Sequence, residues 1–182
     1  MVQRHQVTVE EYYRLGESGA WGHQPRVELI EGEIVEMSPI GSKHAAVVDL
    51  LIKQFTSKTE SLYIRCQHPI RLSESSEPEP DIALVRGEAR DYVDAHPTAD
   101  DVLLLVEVAD TTLPYDLETK SPLYARHGIP EYWVVDTEAR QVHVFRRPQE
   151  GTYLVRETLT ATDALDLPET PGGRMELGEI LL

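Results

Sequence analysis

Leu103-Leu104-Leu105-Val106-Glu107-Val108-Ala109 is the stretch on which the reading of this chain turns. An unbroken apolar run of this length suits a strand covered on both faces, at the centre of a mixed α/β sheet. Glu107 interrupts it. An ionised carboxylate buried alone costs several kcal/mol or more, so it needs a cation beside it or a proton on it. Lys120 lies downstream, and a second carboxylate, Asp81, opens the upstream strand Asp81-Ile82-Ala83-Leu84-Val85. Two acids and a lysine at a buried sheet edge form the pattern of a metal site. A structural ion pair between Glu107 and Lys120 fits the same residues, and the motif chemistry alone does not separate the two.

Outward from this strand, the order of elements follows from periodicity and punctuation. Thr8-Val9-Glu10-Glu11 has the form of a capping box and opens a short helix over 8–15. Val27-Glu28-Leu29-Ile30 and Ile34-Val35-Glu36-Met37 flank Glu31-Gly32-Glu33, a tight hairpin with Gly32 at positive φ and Glu28 on an exposed strand. Ala46, Val47, Leu50, Leu51 and Phe55 recur at helical spacing, so an amphipathic helix runs from about Ser42 to Lys58. Leu62 to Leu72 reads as one long strand, with Pro69 indicating an edge position or a bulge. Beyond the buried strand, Pro122 fits a first helical turn better than a helix interior, which places the start of a regular helix near Glu118. Strands at 131–136, 141–146 and 152–157 then form a β-meander. The whole, residues 1–182, reads as a single domain.

Composition sets outer bounds. The 182 residues are 41% hydrophobic and 27% charged, ordinary for a globular protein. No apolar run approaches the ~18 residues of a membrane span. The first five residues lead into no apolar stretch, so no secretory signal is expected and the cytoplasm is the default. The single cysteine, Cys66, excludes an intrachain disulfide and a cysteine zinc site. The histidines other than His44 show no metal-ligand spacing. A net charge of −15 argues against gripping nucleic acid by bulk electrostatics. The charge is uneven, however: residues 41–72 are locally positive, with Lys43, Lys53, Lys58, Arg65 and Arg71, whereas 73–131 are strongly acidic.

Side chains at i and i+2 share a strand face, so Glu107 and Ala109 point the same way. Two carboxylates plus waters can hold a divalent ion at roughly 2.0–2.5 Å, which would polarise a phosphoryl oxygen and activate water. Lys120 would steady the charge on the attacking or leaving oxygen.

Pro80-Asp81-Ile82-Ala83, then Val106-Glu107-Val108, then a lysine resemble the PD-(D/E)xK nuclease superfamily. Further phrases are Glu28-Leu29-Ile30-Glu31-Gly32-Glu33-Ile34-Val35-Glu36-Met37-Ser38-Pro39, His44, Asp116, Lys120, Tyr124 and Gly128-Ile129-Pro130-Glu131-Tyr132-Trp133-Val134-Val135-Asp136. In that order they resemble the bacterial Uma-type family of restriction-endonuclease-like proteins, over most of residues 8–157. The resemblance implies a restriction-endonuclease-like core: a mixed sheet with flanking helices, an N-terminal hairpin and a C-terminal meander. It implies Asp81 and Glu107 as ligands of Mg²⁺ or Mn²⁺ and Lys120 as the catalytic lysine. In the wider superfamily the lysine stands two residues after the acid, where this chain has Ala109. As in the smaller family, the lysine comes from the following helix, and Ala109 leaves it room.

Glu28, His44, Asp116 and Tyr124 are the supporting candidates. Glu28 would be a further acid of the metal site or, as an exposed hairpin residue, have no role; His44 would bind phosphate, orient a ligand or cap its helix. Asp116 would hold Lys120 or cap the helix, and Tyr124, sharing a helix face with Lys120, would pack and hydrogen-bond. The expected function is a metal-dependent endonuclease acting on DNA, as a homodimer, with phosphate contacts from Lys43, Lys53, Lys58, Arg65 and Arg71. The alternative is a catalytically degenerate nuclease fold serving as a binding or regulatory module.

Overall fold

The structure, a computed structural model, describes residues 5–20, 26–59 and 62–182. At its centre is a six-stranded sheet of β3 (Tyr63–Cys66), β4 (Ile82–Val85), β5 (Val102–Ala109), β6 (Glu131–Asp136), β7 (Gln141–Gln149) and β8 (Thr152–Thr160), adjacent in that order. Neighbours run antiparallel except β5 and β6, which are parallel. A parallel pair needs a crossover connection, and here it is helical. It consists of α3 (Leu113–Tyr115), a π-helical turn (Asp116–Lys120) and α4 (Ser121–Arg126).

The eight residues of β5 are all buried, and their alternation assigns them to two cores. Leu104, Val106 and Val108 pack with Val47, Val48, Leu51 and Phe55 of α2 (Ser42–Lys58). Leu105 and Ala109 face the other way, toward Leu123, Tyr124 and Ala125 of α4. Glu107, between them in the same parity, therefore looks at the crossover helix rather than at α2. Trp133 on β6 is fully buried, its ring centroid 6.0 Å from that of Phe55 with the planes tilted by 35°, and closes the α2 side.

The N-terminal part covers one end of the sheet. Thr8 and Glu11 complete the expected capping box at the start of α1 (Val9–Glu17). β1 (Val27–Ile30) and β2 (Glu33–Glu36) form the hairpin, with both Glu31 and Gly32 at positive φ, as a two-residue turn of the primed type requires. The last residues also enter the core. Leu165, Leu167, Met175, Leu177, Ile180 and Leu181 pack on the α2 face, ordered by β9 (Ala164–Asp166) and β10 (Arg174–Glu176).

Three expectations are corrected. The strand read as running from Leu62 to Leu72 stops at Cys66, because Gln67 takes a left-handed φ of 52° and breaks the ladder; β3 is nonetheless an edge strand. The helix placed from Glu118 begins at Leu113, and Pro122 lies inside the helical run rather than at its start, directly after the π turn over Asp116–Lys120 that interrupts the regular α ladder ahead of it. Glu28, expected to be exposed, is 1% exposed, because the hairpin lies over the sheet end instead of standing in solvent. His23 and residues 1–4 lie outside the described residues. No helix among the described residues is long and apolar enough to cross a membrane.

Candidate active site

Register brings the two central carboxylates together. Ile82 pairs with Val106, so Asp81, one residue before β4, falls opposite Glu107. The Asp81 amide donates to Glu107 Oε2 at 3.3 Å, and the Val108 amide donates to Asp81 Oδ2 at 2.8 Å. The crossover then returns Lys120 to the same spot. Its Nζ lies 2.9 Å from Glu107 Oε1 and 3.2 Å from Glu28 Oε2. Tyr124, one turn further, donates its hydroxyl to Glu107 Oε1 at 3.0 Å. At the start of α2, His44 Nε2 meets Asp81 Oδ1 at 2.9 Å, and Gln67 Nε2 donates to the same oxygen at 3.2 Å. Asp116 is buried nearby, accepting from the Thr112 hydroxyl at 2.7 Å.

Asp81, Glu107, Lys120, Glu28, His44 and Asp116 thus line one cavity of about 320 Å³, with Tyr124 behind it. Glu28 is the residue whose position was misjudged. Both faces of β1 are covered, since Leu29 and Ile30 are buried with it, so strand alternation carried no signal for Glu28. Arg26, Glu79 and Tyr115 also line the cavity and Gln67 touches Asp81; none was anticipated, and no motif marks them.

Acid outnumbers base here, and the protonation pattern follows. Burial pushes the Glu107 carboxyl up to about 8; Lys120 pulls it down, while Asp81, Asp116 and Glu28 push it further up. Burial likewise raises Asp116 to about 6 against the pull of Lys120. Burial works to strip the proton from Lys120, but Glu107, Glu28 and Asp116 surround it and hold its pKa well above the usual lysine range. The lysine therefore stays charged, while Glu107 and Asp116 hold their protons more tightly than free carboxyls do. Asp81 differs. Burial opposes its ionisation, but the His44 hydrogen bond and charge, the Val108 amide and Gln67 outweigh burial and leave it below the ordinary aspartate range. The Asp81 hydrogen bond raises His44 in return.

The donor set suits a hard cation. Among the described residues no three or more His, Cys, Asp and Glu side chains form a ready metal cage. A metal here would take Asp81 and Glu107 and draw its remaining ligands from water and substrate, the habit of Mg²⁺. Such an ion would offset both the burial that chiefly raises Glu107 and Asp116 and the repulsion among the acids.

The basic residues of 41–72 are placed elsewhere. Lys43 donates to the Thr137 carbonyl at 2.6 Å. Arg65 is buried, within 5.9 Å of the Tyr63 ring and 5.8 Å of the Tyr92 ring, and Arg71 pairs with the buried Glu77. Lys53 is exposed and Lys58 half-buried, both toward the far end of α2, whereas only its first turn reaches the cavity.

A mixed sheet whose strand ends gather two acids and a lysine defines the restriction-endonuclease-like class of fold. Comparison agrees. Among solved structures that match is the crystal structure of "a putative nuclease belonging to DUF820 from Anabaena variabilis", 15% identical, with a TM-score of 0.73 over 96% of this chain and 97% of that one. No curated protein matches. The family model described as "Uma2: Putative restriction endonuclease" matches residues 9–177, and the chain belongs to that family.

Proposed function

We propose that this protein is a divalent-metal-dependent endonuclease hydrolysing phosphodiester bonds in DNA. The observation that carries the reading is the convergence of Asp81, Glu107 and Lys120 in one cavity, from three separate elements. Membership of a family described as restriction endonucleases supports it. Asp81 and Glu107 would hold Mg²⁺ or Mn²⁺, which when bound polarises a phosphoryl oxygen and makes a coordinated water a nucleophile at neutral pH. His44 and Gln67 fix the Asp81 carboxylate through one oxygen, and Tyr124 fixes Glu107. Glu28 also holds Lys120, whose ammonium would steady negative charge developing on the phosphate. The cytoplasm and a homodimer complete the reading.

A second reading has its own observation. Lys120 is already saturated by Glu107 and Glu28, as it would be in a purely structural clamp within a degenerate nuclease fold that binds without cutting. Plasmid cleavage decides between them. Cleavage that requires Mn²⁺ or Mg²⁺ and disappears in Asp81→Ala supports the nuclease; intact plasmid under all metal conditions supports the binding module.

A further inference from the structure

The cavity is narrow, deep and acidic, and these properties bear on what can enter it. Asp81, Glu107 and Lys120 are 7%, 5% and 4% exposed. They sit below a rim made by the hairpin strand β2, the 37–41 loop with Pro39 and Ile40, and the turn at 110–112. The volume of about 320 Å³ lies at the low end of the ~300–1,000 Å³ of pockets for small organic ligands. It is of a size to receive a nucleotide-sized group, not the flank of a helix.

Charge points the same way. Seven cavity-lining residues are carboxylates, against Arg26, Lys120 and His44. Duplex DNA carries a charge every ~1.7 Å of axis, a single strand one every ~3.4 Å, so an acidic rim penalises the duplex more. Enzymes whose reacting groups lie too deep for a stacked duplex act on single strands or on extruded nucleotides.

One wall group lacks a protein partner. The Tyr115 hydroxyl is buried, and it makes no hydrogen bond among the described residues. Its ring stands 6.0 Å from Lys120 Nζ, and Tyr115 lines the cavity. A buried hydroxyl without a partner is costly, and a ligand oxygen or nitrogen would satisfy it.

We infer that the site takes a single-stranded segment of DNA, one nucleotide of which enters the cavity, with Tyr115 as a residue that positions it through its hydroxyl. This rests on the nuclease reading of the same site. A single strand requires one site, so the homodimer expected for duplex cutting is not demanded by it.

The test uses the full chain and two probes of equal length, a fluorescent single-stranded oligonucleotide and a blunt hairpin duplex. Binding is followed by anisotropy in Ca²⁺, which takes the same kind of oxygen ligands, and cleavage in Mn²⁺. The single strand is expected to bind at least about tenfold tighter than the duplex, the latter being repelled by the acidic rim. Tyr115→Phe should weaken single-strand binding about threefold or more, with a melting temperature equal to the parent's or higher, because the hydroxyl makes no bond among the described residues and its removal relieves a buried unpaired group. Equal or tighter binding of the duplex, cleavage of its interior as fast as of the single strand, or indifference to Tyr115→Phe would overturn the inference while leaving the nuclease intact. Failure to cut either probe in Mn²⁺ would instead overturn the nuclease reading, and single-strand binding without cutting would leave only a binding site.

Discussion

Removing the Lys120 ammonium would leave Glu107 and Glu28 buried side by side with no cation between them. Breaking a buried pair by deleting one partner costs roughly 3–5 kcal/mol. Lys120→Ala should therefore melt markedly lower than the parent without metal. If the site is catalytic, Mn²⁺ should restore much of the lost stability, with metal affinity equal or improved because a repelling charge is gone. Cleavage should stay absent. A variant that Mn²⁺ cannot rescue would identify the lysine as a structural clamp.

The raised carboxyls of Glu107 and Asp116 give a second test. Glu107, raised to about 8 by burial, binds its proton more tightly folded than unfolded, where a glutamate titrates near ~4.3. The corresponding stability is fully present below the unfolded pKa and is lost as pH rises through the folded one. Asp116, raised to about 6, acts in the same direction over a narrower window. Metal-free protein should become less stable between about pH 4.3 and 8, and Glu107→Gln should flatten most of that slope. Chemical denaturation in EDTA across this range measures it.

At the scale of elements, the site depends on how β1–β2, β4–β5 and the crossover are seated. Gly32 is the tightest point of the hairpin: its φ is 80°, and a Cβ there would stand 2.6 Å from the Gln6 Cβ. Gly32→Ala should cost about 1–3 kcal/mol from backbone strain alone, and should loosen Glu28 from Lys120 by lifting β1. A thermal melt within about 0.5 kcal/mol of the parent would show that the hairpin does not anchor the site.

The pairing of Asp81 with Glu107 was legible because strand parity and the start of β4 fix it, and the family phrases run through both. The burial of Glu28 was hard to read because an isolated hairpin gives no sign of what it will lie against. The left-handed Gln67 falls within residues of good strand propensity, and only the fold shows that the chain must turn there to bring Gln67 to Asp81. Pro122 was read as marking a helix start, but the helical run begins at Leu113 and passes the proline by way of a π turn, which no sequence signal announced. Arg26 precedes a strand with no motif around it, so its place on the cavity wall depends on tertiary packing alone.

For the whole molecule, a chain of charge −15 must meet a polyanion through a limited area. Sequence favoured the basic segment 41–72, yet its cations are engaged, buried or remote. Lys53 lies eleven residues past Ser42, roughly 16 Å along α2 at ~1.5 Å per residue. Arg26, on the cavity wall, is better placed to meet a phosphate beside the metal. Arg26→Ala should weaken oligonucleotide binding and lower the salt slope by about 0.7 for a single strand, whereas reversing Lys53 and Lys58 together should change either little. A larger loss from the lysine pair would put the nucleic acid on the α2 face.

The proposed nuclease depends on a divalent metal held by Asp81 and Glu107, and a crystal structure of the protein soaked in Mn²⁺, read by its anomalous signal, tests that directly. The expected result is one Mn²⁺ with oxygens of both carboxylates at roughly 2.0–2.5 Å and Lys120 Nζ drawn off Glu107 Oε1. Glu107 still tied to Lys120, Asp81 still tied to His44, and no manganese peak between them would contradict it.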